Sequence, residues 1–365
     1  MNKKIVLAGA GHGHLMFLNQ ISDVKNSGFD VTVISPDKYH YYSGMGPGMI
    51  SGTYKPEQCR FDVESITEKN GGRFIKDSIT AFNPDLKQLI TSSGETVYYD
   101  VVSFNTGSEM SYNPGAGENI FPVKPIVNLY EAGRYIIKKF KGKSFSSAVI
   151  GGGFAGIESA CNIRYLAFKM GIPAKIMIIE KGIFLEQLNR KFYNEISKEL
   201  RRIQVGVFQN SGDVSIQGNR VITESGRNLD TDIIINATGV RASSIFKDSG
   251  IVTDEEGALS VNTYLQSPQY PEVFGTGDCI HFKNEPLRKA GVYAVKQNPI
   301  IFHNLQAYLS GLPLIPFKPQ KNYMAILNTG FERGILFRKP FLLRGRLPYV
   351  IKDLIDRRFI KQYQK

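Results

Sequence analysis

Two short glycine-rich stretches carry most of the chemistry legible in this chain. "LAGAGHGHLMFL", residues 7–18, sets Gly9 and Gly11 between an apolar strand pattern and an apolar helix pattern. "SSAVIGGGFAGIESA", residues 146–160, sets Gly151, Gly153 and Gly156 in full G-x-G-x-x-G register, with Phe154 beside them. Glycines at such a turn permit a tight bend and let a pyrophosphate approach the backbone. The helix that follows offers free N–H groups and a positive dipole end to the anion. In the first stretch the third glycine position holds His14, and Gly13 falls one residue early.

Each stretch sits in a strand–helix–strand pattern of the right length. The first runs "KKIVLAG", then a helical run to about residue 28, then "FDVTVIS", ending on Ser35. The second runs from Ala148–Ile150 through a helix to about Met170 and then "AKIMIIE", ending on Glu180. A carboxylate there accepts both hydroxyls of an adenosine ribose and repels a 2′-phosphate, which predicts NADH over NADPH. Ser35 offers a single hydroxyl in its place. Further along, "YPEVFGTGDCIHF" leads a strand into Gly277 and Asp278, where a carboxylate after a tight turn can bond a chain of hydroxyls. "VVSFNTGS" and "IIINATGV" end strands on Thr106-Gly107 and Thr238-Gly239, where the chain crosses between domains.

These elements predict an α/β fold with two Rossmann-like dinucleotide-binding domains, the second inserted in the first. The expected bounds are 1–110 and 235–310 for the outer domain and 111–234 for the inserted one. Residues 311–365 form a C-terminal region that meets a membrane or another protein surface. A chain of 365 residues is long enough for this plan. No apolar run reaches the roughly 18 residues needed to span a bilayer, and "MNKKIVLAG" lacks the build of a signal peptide. A cytoplasmic protein is expected, peripheral at most on the cytoplasmic face of a membrane. Cys59, Cys161 and Cys279 are far apart, with no C-x-x-C and no zinc-ligand spacing, so neither a disulfide framework nor a metal is expected.

Together the motifs resemble the two-dinucleotide flavoproteins of the pyridine nucleotide-disulfide oxidoreductase superfamily. Without C-x-x-C, the chain looks like type II NADH:quinone and sulfide:quinone oxidoreductases. "GAGHGH", "VISPDKYHYYSGMGPGMISG", "FPVKP", "KAGVYAVKQNP" and "IKDLIDRRFIKQY" resemble most closely a flavoprotein family sometimes fused to the N-terminus of selenide, water dikinase. In that family the turn is glycine-rich and then H-x-H, so His12, Gly13 and His14 are expected in the FAD turn.

The resemblance implies FAD at Gly9, Gly11, Ser35, Thr106, Gly107, Gly277 and Asp278, with Tyr42 and Ser43 along the flavin. It implies NADH at Gly151, Gly153, Phe154, Gly156, Glu180, Thr238 and Gly239. Glu158 matches an acidic position near nicotinamide and flavin, and Lys124 would set a positive charge near the flavin. In "KAGVYAVKQNPIIFHNL", Ala290 and Gly291 would face the flavin, while Tyr293, Lys296 and Gln297 reach toward an acceptor. Pro299 is expected to kink that helix. Cys59 is a thiol that could serve beside the flavin, or simply a small buried apolar group.

The implied reaction passes a hydride from NADH to FAD and electrons on to an acceptor, a membrane quinone first. Sulfur or selenium chemistry using Cys59, or slow turnover as a redox sensor, are the alternatives. The charge distribution bears on the acceptor. Of a net charge of +12, residues 321–365 supply +8, with eleven Lys/Arg against three Asp/Glu. Ile351, Leu354, Ile355 and Phe359 form an apolar stripe flanked by Lys352, Arg357, Arg358 and Lys361, which suits an anionic membrane surface or a docked helix. No nucleic-acid module is present. The sequence leaves the oligomeric state open, a homodimer included.

Overall fold

The computed structural model describes residues 2–111, 117–186, 188–287, 289–320 and 324–364. Two five-stranded parallel sheets organise it. The first runs, edge to edge, Val273–Gly275, Val101–Phe104, Lys3–Ala8, Phe29–Ser35 and Arg73–Lys76. The second runs Ile120–Pro122, Ile233–Asn236, Phe145–Ile150, Ala174–Ile179 and Val205–Phe208. Such strands are covered on both faces, which explains continuous apolar segments such as "IIIN", buried at all four positions. The chain leaves the first sheet after Phe104, completes the second, and returns at Val273. Near the crossing, Glu109–Met110 pairs antiparallel with Val240–Arg241.

The helix after the first turn differs from the expected continuous one. It is two short helices, Leu15–Asn19 and Ile21–Asn26, broken at Gln20. Buried Leu15, Leu18, Ile21 and Val24 recur every three residues. At 3.6 residues per turn that stripe drifts around a straight helix, and the break at Gln20 turns the apolar side back to the sheet. The helix after the second turn, Phe154–Met170, ends as expected, on Gly171 in the left-handed conformation. The long helix Gly291–Ser310 runs on through Pro299, whose exposed side faces away from the sheet.

The C-terminal region is a three-stranded antiparallel sheet, Ala325–Asn328, Gly334–Arg338 and Phe341–Gly345, followed by the helix Arg346–Tyr363. Its apolar stripe is not one face. Ile360 and Tyr363 are buried and Phe359 packs against Phe61, whereas Leu354 and Ile355 are exposed. Lys352 and Arg357 likewise leave the expected solvated face, for each is paired with a carboxylate one turn away.

Candidate functional site

The carboxyl ends of both parallel sheets open into one cleft of about 1390 Å³. Open α/β sheets bind ligands at this end, and single drug-sized ligands occupy roughly 300–1,000 Å³, so the space suits more than one group. The helices Phe154–Met170 and Gly291–Ser310 begin without a side-chain cap, whereas in the first turn of Leu15–Asn19 the Met16 amide donates to Asn298 Oδ1 at 3.0 Å. Uncapped helix amides are ready partners for phosphate or carbonyl oxygen.

At the first turn, Gly9, Gly11 and His12 line the cleft. Gly13 and His14, expected among the contact residues, lie behind it. The Gly13 amide donates to Asn105 Oδ1 at 3.0 Å, and Asn105 Nδ2 donates to the Thr276 carbonyl at 2.6 Å. Asn105 thus staples the first glycine turn to the Gly-Thr-Gly-Asp turn. A Cβ on Gly11 would sit 2.1 Å from Asn105 Oδ1, which explains that glycine. His14 is fully buried, with Nδ1 2.6 Å from the Gly9 carbonyl and Nε2 2.8 Å from Ser103 Oγ. Burial lowers its pKa to about 4, against the opposing pull of the Gly9 carbonyl. The side chain that replaces the third glycine is therefore a neutral internal brace, not a ligand contact.

Ser35, Ser43, Thr106, Gly107, Gly277, Asp278, Ala290 and Gly291 all line the cleft. Tyr42 does not. Its ring packs 4.9 Å from Phe359 and its hydroxyl donates to Asp356 Oδ1 at 3.1 Å, so the C-terminal helix claims it. Lys124 lines the cleft but is not a free cation, because its Nζ lies 3.1 Å from Asp278 Oδ2 and bonds Ser108 Oγ.

In the second turn Gly152, Gly153 and Phe154 line the cleft, while Gly151 and Gly156 shape it from behind. A Cβ on Gly156 would approach the Gly151 carbonyl oxygen to 2.0 Å, so only glycine lets helix and strand meet there. Glu180 lines the cleft and accepts from the Gly152 amide at 2.6 Å. Thr238 and Gly239 line it as well, with Thr238 Oγ1 donating to Asn236 Oδ1 at 2.7 Å.

Glu158 also faces the cleft and accepts from the Asn328 amide at 2.7 Å. Burial pushes its carboxyl up to about 7, although Lys352 and the Asn328 amide pull down; Asp356 pushes up further. Lys352 is 11% exposed at its side chain and donates to Asp356 Oδ2 and to the Gly44 carbonyl, each at 2.6 Å. Burial lowers its ammonium pKa, but Asp356 and Glu158 outweigh that and raise it. A carboxyl that titrates near neutrality beside a permanently charged ammonium can gain and lose a proton during turnover.

The three residues expected at the acceptor divide differently. Gln297 is buried, and its Oε1 accepts from Thr276 Oγ1 at 2.7 Å and the Gly277 amide at 2.8 Å, holding the turn. Lys296 is exposed outside the cleft. Tyr293 lines a small side cavity with Ile280 and Phe282. Cys59 is fully buried away from the cleft, and burial pushes its thiol up to about 12, so it is no thiolate beside a cofactor. Sequence reading passed over Asp37, His40 and Asn105, which line the cleft, and Asp356, and it set Lys352 on the flank of an apolar stripe where the structure pairs it with Asp356. "FNTG" contained Asn105 in plain view; Lys352 and Asp356 were hidden because a basic amphipathic helix reads as surface.

Residues 3–297 match the family "Pyridine nucleotide-disulphide oxidoreductase". The chain is 24% identical, over 96% of its length and 84% of the relative's, to a probable NADH dehydrogenase of Dictyostelium discoideum. It is 24% identical to the type II NADH:quinone oxidoreductase of Staphylococcus aureus, with 98% of this chain and 95% of the relative covered. The solved sulfide:quinone oxidoreductase of Aquifex aeolicus superposes with a TM-score of 0.84 over 99% of this chain and 91% of that one, at 16% identity. With the family pattern spanning both glycine turns, the Gly-Thr-Gly-Asp turn and the start of the long helix, the chain belongs to the pyridine nucleotide-disulphide oxidoreductase family.

Proposed function

We propose that the protein is an FAD-dependent NADH dehydrogenase that passes electrons to a quinone. The observation that carries this reading is that two glycine turns, at the carboxyl ends of two separate parallel sheets, open into one cleft that Glu158 also lines. The relatives named for NADH oxidation and quinone reduction support it. Bound FAD would accept a hydride from NADH and hand two electrons onward.

The chain's own residues then have distinct tasks. Gly9, Gly11 and His12, which line the cleft, hold the FAD pyrophosphate with their backbone, and Asp278 and Ser35 bond its hydroxyls. Gly153, Phe154 and Glu180 hold NADH, and the Glu180 carboxylate, fixed by the Gly152 amide, disfavours a 2′-phosphate. Glu158 carries the proton that a reduced quinone requires, and Lys352 keeps it exchangeable near pH 7. Residues 1–110 and 235–310 serve FAD, 111–234 serve NADH, and 311–365 serve the acceptor side.

No helix among the described residues is long and apolar enough to cross a membrane. Leu347, Val350, Leu354 and Ile355 are nonetheless exposed on the last helix, beside exposed Phe341 and Leu343 of the hairpin, with Arg346 and Arg358 among them. An apolar patch bordered by cations suits the surface of an anionic membrane, where a lipophilic quinone resides. Purified protein reconstituted with FAD should show flavin absorbance that bleaches anaerobically with NADH and returns on adding a quinone. Protein that takes up no flavin, or flavin that NADH leaves oxidised, contradicts the reading.

A further inference from the structure

Lys124 joins the two halves of the molecule. It follows the strand Ile120–Pro122, an edge of the second parallel sheet, and precedes the helix Val127–Lys139. Its Nζ nevertheless stands 3.1 Å from Asp278 Oδ2, in the turn that follows the edge strand Val273–Gly275 of the first sheet. Ser108, a few residues beyond the point where the chain leaves that sheet, closes the group. Its Oγ accepts from Lys124 Nζ and donates to Asp278 Oδ2 at 3.1 Å. All three residues line the cleft. With side chains 27% and 21% exposed, Lys124 and Asp278 are shielded from the solvent competition that loosens surface ion pairs.

The Asp278 backbone is fixed from behind. On one side the Gly277 amide donates to Gln297 Oε1 at 2.8 Å, and on the other Cys279 Sγ donates to the Thr276 carbonyl at 3.3 Å. What the backbone leaves free is rotation of the carboxylate, and Lys124 and Ser108 remove it. Both act on Oδ2, while Oδ1 bonds nothing among the described residues. A carboxylate offers about four lone-pair sites on its two oxygens. Two donors on Oδ2 therefore leave the acceptor capacity of Oδ1 whole. A side chain pinned in this way loses little further freedom when it accepts another hydrogen bond.

We infer that Lys124 and Ser108 are positioning residues for FAD: they hold Asp278 by one oxygen so that the other, Oδ1, accepts from a hydroxyl of the cofactor's ribityl chain. This rests on the reading that the cleft binds FAD with Asp278 on its hydroxyls. The lysine then acts on the cofactor through Asp278, not as a free cation beside the flavin. It also comes from the stretch 111–234 otherwise given to NADH. The FAD site is accordingly completed by the second half of the molecule, and its affinity depends on the two halves meeting at this ion pair.

The test is titration of the flavin-free protein with FAD, followed by the change in flavin fluorescence. Asp278→Ala should weaken binding about tenfold to a hundredfold, the share of a hydrogen bond to a charged group. Lys124→Met should weaken it about two- to tenfold, the share of ordering one side chain, and Lys124→Arg should recover part of the loss. In an Asp278→Ala background Lys124→Met should have no further effect, because it acts through the carboxylate. FAD analogues that each lack one ribityl hydroxyl give a readout that a loosened fold does not mimic. The analogue without the bonded hydroxyl should bind wild type and Lys124→Met alike, while natural FAD distinguishes them. If Lys124→Met does not fold, Ser108→Ala, which removes the other donor, carries the same comparisons. A variant that binds FAD as tightly as the wild type, or loses the same factor for FAD and every analogue, overturns the positioning role alone. Losses that add to that of Asp278→Ala do the same. A wild-type protein that binds no FAD overturns the functional reading with it.

Discussion

The Asn328 amide donates to Glu158 Oε1 at 2.7 Å, so the C-terminal hairpin ends on the carboxylate that rises from the second glycine turn. A region outside both parallel sheets therefore pulls down the proton affinity that burial raises in Glu158.

Glu158→Gln should leave flavin reduction by NADH close to the wild-type rate and slow reoxidation by quinone by about 10²- to 10⁴-fold, the usual share of a positioned acid. The remaining rate should no longer change near pH 7. Stability should respond too. Burial raises the folded carboxyl to about 7, above its value in the unfolded chain, so its contribution is full below about pH 4.5 and is lost as pH rises through 7. Denaturation of wild type and variant at pH 5 and pH 8 checks this: the wild type should lose more stability over that interval.

Asp356→Ala removes the one carboxylate that the buried Lys352 ammonium hydrogen-bonds among the described residues and leaves it bonded to the Gly44 carbonyl. Breaking a buried pair in this way costs about 3–5 kcal/mol. Urea unfolding should show the loss, and Lys352→Met combined with Asp356→Leu should recover much of it.

Glu180→Arg should move cofactor preference toward NADPH by tenfold or more. Removing one negative charge and adding a positive one beside a 2′-phosphate changes the interaction by at least the roughly 1.4 kcal/mol that a tenfold ratio requires. Flavin reduction rates with NADH and NADPH measure it; an unchanged ratio contradicts the role of Glu180.

Cys59 should resist alkylation by iodoacetamide in the folded protein at pH 8, because burial keeps the thiol protonated. Cys59→Ser should retain quinone turnover. A variant that loses turnover while remaining folded would restore the thiol-based alternative.

Leu347→Glu with Leu354→Glu changes only exposed positions. The pair should abolish co-sedimentation with anionic vesicles and slow transfer to a lipophilic quinone, with transfer to a water-soluble quinone little altered. Wild-type protein that ignores such vesicles at low salt contradicts the membrane reading.

Local pattern made much of this legible. The strands around both glycine turns, the helix Phe154–Met170 and Glu180 at a strand end follow from period, turn chemistry and a carboxylate at a fixed distance. The cleft-facing glycines follow for the same reason. His14, Gln297 and Tyr42 were harder, because a polar side chain near a site reads alike whether it faces the ligand or braces the turn. Only packing distinguishes them: Ser103, Thr276 and Asp356 are their partners, and each is far away in sequence. Lys352 was hidden by its own helix, whose charge suggested solvent while its contacts lie inward.

The loop at Tyr42 and Gly44 is bound by Asp356 and Lys352, more than three hundred positions later. A ribosome makes that loop early and those partners late. Through most of synthesis both glycine turns can form on their own sheets while the floor beneath Glu158 is missing. A message truncated before residue 346 would then yield a protein with two recognisable nucleotide-binding halves and no Lys352–Asp356 pair near Glu158. Such a product would be expected to bind dinucleotides and to compete for them while transferring nothing onward, and it would present Phe61 and Tyr42 to chaperones and proteases.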